Sequence, residues 1–147
     1  MFASFLKRLT SPTPDQLPET DARLALGALL VRVAKADEHY DDVEAMRIEQ
    51  LLGKRYGISS AEAGQLREQC EKLESEAPDT VRFTRCIKDC VPHENRISVI
   101  EDLWSVVLAD GVRDADENTL LRLVANLLGV TDVQSATARH KAQSLQE

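Results

Sequence analysis

The chain has 147 residues, of which 43% are hydrophobic and 29% charged, a composition typical of a globular domain with a hydrophobic core. Twenty-five acidic residues against eighteen lysines and arginines give a net charge of −7. This balance argues against nucleic-acid binding, which requires a basic face, and favours cations or basic partners.

Three features of the sequence predict a cytoplasmic location. The three cysteines, an odd number, fit a reducing compartment better than a disulfide scaffold. Residues 2–9 carry basic residues near their end, and they lack an apolar stretch long enough for export. No apolar run approaches the ~18–20 residues that a membrane span requires.

Residues 1–18 are predicted to be an N-terminal amphipathic segment and a proline-rich linker, followed by one helical domain over residues 19–147. Four apolar residues recur at helical spacing: Phe2, Phe5, Leu6 and Leu9. Residues 10–18 hold three prolines and show no periodicity. We expect the segment to dock on the domain. The alternative is a membrane-surface anchor through Lys7 and Arg8, but so short a segment buries little apolar area.

The first three helices of the domain are predicted from their periodicity and caps. Residues 20–36 form a central, buried helix, because one side is almost wholly apolar. Residues 42–56 form an amphipathic helix that ends at Gly57. Its buried stripe is predicted to hold Val43, Met46, Leu51 and Leu52. A third, polar helix opens at the capping box Ser59-x-x-Glu62 and runs to about residue 76.

Four further helices are predicted in the second part of the chain. A short one follows Pro78-Asp79, and a strongly buried one around Trp104 follows Val91-Pro92 and ends near Asp110. An apolar stripe over residues 120–128 is stopped by Gly129, and Thr131-x-x-Gln134 caps the last helix. No segment alternates with period two, so the sequence predicts an all-α domain of about seven helices.

The two parts repeat each other at an offset of 73 residues. The stretch 30–37 aligns with 103–110, and one residue of slippage then aligns Gly57 with Gly129. Each copy contains a buried helix, an acidic turn, an amphipathic helix and an exit at glycine. Because neither copy can bury its apolar face alone, we predict a compact bundle of two helical hairpins about a pseudo-two-fold axis.

The two acidic turns read ADEHYDDVE (36–44) and ADGVRDADE (109–117). They carry acids at the same three places: Asp37, Asp41 and Glu44, then Asp110, Asp114 and Glu117. Helix capping by D-x-x-E explains four of these six acids. It does not explain Asp37 and Asp110, because the helix dipole disfavours negative charge at a helix C-terminus by roughly 0.3–1 kcal/mol.

Two accounts of this acidic pattern remain open. A divalent cation, Ca²⁺ or Mg²⁺, bound by all six carboxylates would offset the unfavourable placements, although the spacing is not that of an EF-hand. The other account is capping together with ion pairs, or a solvated acidic patch. The candidate basic partners are Lys35, Arg47, Arg113 and Arg122.

With its paired acidic turns, each between a buried and an amphipathic helix, the chain resembles the TerB-like domain of tellurite-resistance proteins over about residues 22–140. The strongest segment is 103–130, where Ala109-Asp110-Gly111 precedes Asp114 and Glu117. The resemblance implies an all-helical intracellular domain whose acidic residues hold a divalent cation, with a link to tellurite or other chemical stress. The first copy departs from the second in having Glu38 in place of Gly111.

Little else in the sequence points to chemistry. Cys86 and Cys90 stand four residues apart, where core packing is the default interpretation and a redox or metalloid-binding pair is the alternative. His39 is expected to be an exposed turn residue, and Trp104 a core residue. No nucleophile with a base, phosphate-binding loop or dinucleotide fingerprint is visible. We therefore expect a protein that is not an enzyme.

Three functions follow from these observations. The first is a cation-binding sensor or scaffold linked to tellurite or chemical stress. The second is a metal-free interaction module whose acidic face meets an unidentified basic protein partner. The third is a metal-dependent hydrolase or a thiol-redox protein.

Overall fold

The computed structural model describes residues 19–37, 40–76, 80–109 and 115–146, and the regular structure in these ranges is helical. Seven α-helices follow one another: α1 Glu19–Ala34, α2 Asp42–Tyr56, α3 Ser60–Glu76, α4 Thr80–Cys90, α5 His93–Val107, α6 Ala115–Leu127 and α7 Asp132–Gln146. A short 3₁₀ turn, Lys35–Asp37, extends α1. The prediction of an all-α fold of about seven helices is confirmed. Residues 1–18 lie outside the described ranges, and the boundary at residue 19 stays a prediction.

Helix α1 lies at the centre of the domain, where it packs against α2, α3, α4, α5 and α6. Its apolar side chains from Leu29 to Val31 are fully buried, as are those of Ile100 and Leu103 on α5. Gly27 permits the close approach of α1 to α3, because a Cβ atom at this position would overlap the Cys70 sulfur. Among the described residues, no helix combines the length and the apolar character needed to cross a membrane.

The predicted repeat is present and extends one helix further than the sequence indicated. The packing of α1 on α3 has its counterpart in that of α5 on α7, and the packing of α2 on α3 has its counterpart in that of α6 on α7. Helices α1 and α5 also pack on each other. Each half therefore consists of three helices rather than two. Helix α4, which packs on α1, joins the halves and has no counterpart in the described part of the chain.

The second helix of each half ends in the same backbone motif. Gly57 and Gly129 have φ values of 62° and 76°, in the left-handed region that glycine adopts without strain. The amide of Ile58 donates to Gly53 O at 3.2 Å, and that of Val130 donates to Ala125 O at 2.9 Å. These bonds close Schellman motifs at both helix ends, as the glycines predicted.

The capping boxes predicted at Ser59 and Thr131 are confirmed. Glu62 N donates to Ser59 Oγ at 3.2 Å, and Ser59 N donates to Glu62 Oε1 at 3.3 Å. Gln134 N donates to Thr131 Oγ1 at 3.1 Å, and Thr131 N donates to Gln134 Oε1 at 3.0 Å. Each box satisfies two backbone donors at the start of the third helix of its half.

The predicted buried stripe of α2 is wrong in its first half. Val43 and Met46 are 51% and 59% exposed. The buried residues of α2 are Glu44, Ile48 and Leu52, which are spaced by four. The prediction assumed that the more hydrophobic Val43 and Met46 would be buried rather than a carboxylate. The packing of α2 on α1, α3 and α5 instead buries the helix face that begins with Glu44.

Candidate functional site

The first acidic turn leads from α1 into α2 and ends in a side-chain cap. Asp41 has extended backbone angles (φ −99°, ψ 176°), and its Oδ1 accepts a hydrogen bond from Glu44 N at 3.0 Å. This is the N-cap that the sequence predicted for Asp41. The Asp41 side chain itself is exposed, so its second carboxylate oxygen is open to solvent or to a ligand.

Glu44, in the first turn of α2, is completely buried, with an exposure of 0%. Glu62, at the equivalent place in the capping box of α3, is exposed. Burying a carboxylate is costly unless hydrogen bonds or a positive charge compensate it. The positive end of the α2 dipole favours a carboxylate at this place by about 0.3–2 kcal/mol.

Helix α3 holds the first acidic turn at both ends. The Tyr40 hydroxyl donates to Glu71 Oε2 at 2.6 Å. Lys35 Nζ lies 2.9 Å from Glu74 Oε1, and Arg32 Nε lies 3.1 Å from Glu74 Oε2. Burial, reinforced by the hydrogen bond to Glu71, raises the pKa of Tyr40 well above its ordinary value. Sequence reasoning missed this anchoring, because its partners lie more than thirty residues away along the chain.

The basic residues proposed as partners of the turn acids make other contacts. Lys35 pairs with Glu74, as described. Arg47 donates to Ser105 Oγ at 3.1 Å, and Arg122 lies 3.4 Å from the exposed carboxylate of Asp132. Arg113, the fourth candidate, lies outside the described residues. Ion pairs with the acids of the turns stay a prediction, because four of the six acids have side chains outside the described residues.

The second acidic turn lies mostly outside the described residues, which exclude Asp110 and Asp114. Glu117 lies in α6, and Asp37 ends the 3₁₀ turn, but their side chains are also outside the described part. The 3₁₀ turn packs against α6, so the fold brings the element that carries Asp37 onto the helix that carries Glu117. The described residues include no cluster of three His, Cys, Asp or Glu side chains arranged for a metal ion. A site shared by all six acids stays a prediction.

None of the three cysteines, all of which lie in described helices, forms a disulfide. Cys70 and Cys86 are buried, and Cys90 is half-buried. Burial, followed by the charge of Glu71, raises the pKa of Cys70 to about 12, so this thiol stays protonated at neutral pH. Trp104, 8% exposed, is the core residue that the sequence predicted.

Two surface grooves flank α5 and α7. One, of about 420 Å³, contains Arg55, whose Nη2 lies 2.7 Å from Asp102 Oδ2. Burial raises the pKa of Asp102 and the charge of Arg55 opposes that shift, as expected for a half-buried ion pair. The other groove, of about 430 Å³, is lined by Trp104, Arg122 and Arg139. Sequence analysis identified neither, because each gathers residues from three helices.

Comparison with known proteins places this helical architecture in a family. Residues 23–140 match the family model described as "Tellurite resistance protein TerB". The chain belongs to the TerB family. Both acidic turns of this TerB domain lie inside the match, which also includes the Schellman motifs and both capping boxes. Searches of curated proteins and of solved structures returned no match.

Proposed function

We propose that this TerB domain binds a divalent cation, Ca²⁺ or Mg²⁺, at its acidic turns and serves as a sensor or scaffold in the response to tellurite or other chemical stress, without a catalytic step. The observation that carries the proposal is the packing of the 3₁₀ turn, which ends at Asp37, against α6, the helix that contains Glu117. A cation between the two acidic turns would offset the mutual repulsion of carboxylates brought close together there.

The donors of the proposed site are all carboxylate oxygens, the ligands that Ca²⁺ and Mg²⁺ prefer. The first turn contributes Asp37, Asp41 and Glu44. The second contributes Asp110, Asp114 and Glu117, and the contact between the 3₁₀ turn and α6 supports a site formed by both. A cation would also relieve the unfavourable placement of Asp37 at the end of α1.

The anchoring of the first turn supports a sensing role. Tyr40 and Lys35 tie the two ends of the turn to Glu71 and Glu74 of α3. A turn held in this way has little conformational entropy left to lose on binding. Any rearrangement on cation binding passes directly to α3, whose polar face is available to a protein partner.

A second candidate function is a metal-free interaction module with a basic protein partner. The observation that favours it is the exposed edge of α2, where Asp41 and Asp42 stand beside Val43 and Met46. Apolar side chains rimmed by charge are typical of protein interfaces. The thiol-redox alternative, which rests on Cys86 and Cys90, stays a prediction.

Thermal unfolding of the chelator-treated protein with added Ca²⁺, Mg²⁺ or Mn²⁺ separates the two candidates. A ligand that binds only the folded state at a hundred times its Kd stabilises it by about 2.7 kcal/mol. For a domain of this size the expected rise in Tm is roughly 5–11 °C. An unchanged Tm with all three ions at millimolar concentration contradicts cation binding and favours the interaction module.

Matched variants test whether the rise in Tm comes from cation binding at the acidic turns. Asp41→Asn retains the N-cap, because Asn caps as well as Asp, but removes a charged ligand. Glu44→Gln removes the buried charge at nearly constant volume. Both variants, and Asp110→Asn in the second turn, should lose most of the rise in Tm. Asp42→Asn, an exposed neighbour outside the repeated spacing, should keep it.

A further inference from the structure

Arg139 of α7 occupies the place that Arg67 occupies in the first half, 72 residues earlier. The guanidinium of Arg67 bridges two carboxylates, with Nε 2.8 Å from Glu49 Oε1 and Nη1 2.6 Å from Glu71 Oε2. The repeat aligns Glu49 with Arg122 and Glu71 with Gln143. In the second half, therefore, one of the two acids is replaced by a second arginine and the other by a neutral amide.

The guanidinium of Arg139 consequently lacks the partners that Arg67 has. It lies over the Trp104 ring, with 5.7 Å between its carbon and the ring centroid. Its Nε is buried and donates to no acceptor in the part of the chain that the structure describes, where Arg139 also forms no ion pair. A buried donor left without an acceptor costs about 1–3 kcal/mol, so such groups are commonly satisfied by a bound water or ion.

Ser135 presents a second donor of the same kind. Its side chain is 8% exposed, and its Oγ accepts a hydrogen bond from Trp104 Nε1 at 3.2 Å. That bond uses the Ser135 oxygen as an acceptor and leaves its hydroxyl proton to be donated. Within the described ranges this proton has no acceptor. Ser135 and Arg139 line the same groove of about 430 Å³.

We propose that this groove binds a small, doubly charged oxyanion of the phosphate and tellurite class. Arg139 and Arg122 supply the positive charge, and the Ser135 hydroxyl donates a hydrogen bond. The oxyanion takes the place that the carboxylates of Glu49 and Glu71 hold around Arg67. An arginine fork binds oxyanions as it binds carboxylates, through charge-assisted hydrogen bonds.

Asp132, the only acid among the described residues that line the groove, does not prevent binding. Asp132 lies 3.4 Å from Arg122, but both side chains are largely exposed, at 65% and 72%. Exposed pairs of this kind contribute little, so a dianion can displace Asp132 from Arg122. Asp132 is also the first residue of α7, and the positive end of that helix favours an anion in the groove.

Trp104 is the only tryptophan of the chain and therefore reports directly on the groove. Phosphate, sulfate and tellurite are titrated separately at constant ionic strength, with chloride as the balancing anion and a chelator present to exclude divalent cations. We expect a saturable change in tryptophan fluorescence. Equal affinity for the three anions identifies a general oxyanion site, whereas preference for tellurite identifies the oxyanion named in the family description. Because divalent cations are excluded, an absence of oxyanion binding would not contradict the proposed cation site. Likewise, an absence of cation binding would not contradict the proposed oxyanion site.

Arg23 provides a matched control for Arg139. Its guanidinium stacks on Tyr56 at 4.5 Å, and its Nε is also buried without an acceptor among the described residues, but it lines neither of the two grooves. Arg139→Gln should weaken oxyanion binding at least about tenfold, the loss expected for charge-assisted hydrogen bonds. Arg23→Gln should bind as the wild type does. Equal losses in both variants, or no response beyond that to chloride, overturn the proposal.

Two further variants test the charge pattern without removing Arg139. Arg122→Glu places a carboxylate where the first half has Glu49, so Arg139 gains an internal partner and oxyanion binding should disappear. Asp132→Asn removes the competing acid and should raise the affinity. Circular dichroism checks that both variants remain helical. Unchanged affinity in both variants contradicts the proposed site.

Discussion

The two halves of this TerB domain share their backbone signals but differ in the charges placed on them. In both halves the second helix ends at a glycine in the left-handed conformation, and the third helix begins with a reciprocal capping box. Around the third helix, however, the first half surrounds Arg67 with Glu49 and Glu71. In the second half, the residues that align with these two acids are Arg122, which lines the same groove as Arg139, and Gln143.

This difference shows which parts of a repeat are free to diverge. The caps satisfy backbone groups that have no other partner, so their loss costs stability wherever they occur. Partly exposed charges contribute much less to stability. The first half neutralises its arginine internally, whereas the second leaves its arginine available to a ligand. The tyrosines diverge in the same way, since Tyr40 aligns with Arg113 and Tyr56 with Leu128.

The largest expected effects come from the core positions at which the halves agree. Ile48 and Leu121 are equivalent and both 0% exposed. Replacing either by alanine should reduce the free energy of unfolding by about 2–5 kcal/mol, because each change leaves a cavity. Denaturant unfolding measures both losses, and Val133→Ala, at a position 76% exposed, serves as a near-neutral control. A normal loss for one position and none for the other would break the equivalence of the halves.

A smaller loss of stability is expected at Arg67 and Arg139, whose surroundings differ between the halves. In oxyanion-free buffer, Arg67→Gln should cost about 1–2 kcal/mol, because Glu49 and Glu71 lose their shared cation. Arg139→Gln should cost less than about 1 kcal/mol, mainly the contact with Trp104. Added phosphate should stabilise the wild type and Arg67→Gln but not Arg139→Gln. Equal losses without phosphate would show that Arg139 has a partner as good as that of Arg67.

Tyr56→Phe is expected to change the free energy of unfolding least at neutral pH and to alter its pH dependence only at high pH. Burial raises the pKa of Tyr56 to about 12, from about 10 in an unfolded chain. Because the unfolded chain releases the phenol proton first, this contribution to stability is intact below pH ~10 and is lost as the pH rises towards 12. Urea unfolding at pH 8 to 11 should show a shallower alkaline loss in the variant. If the free energy of unfolding fell with pH equally in the variant and the wild type, this assignment to Tyr56 would be contradicted.

Much of the fold was predictable because its signals are local. Gly57, Gly129 and the two capping boxes act on backbone groups a few residues away, so their spacing alone predicts where helices end and begin. The cap at Asp41 is of the same kind, and the structure confirms it. The repeat itself is visible in the sequence, because each half needs the same signals in the same order.

Only the tertiary structure decided which side chains those helices would bury or bring together. The burial of Glu44 in preference to Val43 and Met46 depends on how α2 packs against its neighbours, which hydropathy does not report. The link from Tyr40 to Glu71 and the groove at Arg139 join residues that are distant in sequence. Such contacts are fixed by helix packing over the whole chain, so no short stretch of sequence contains them.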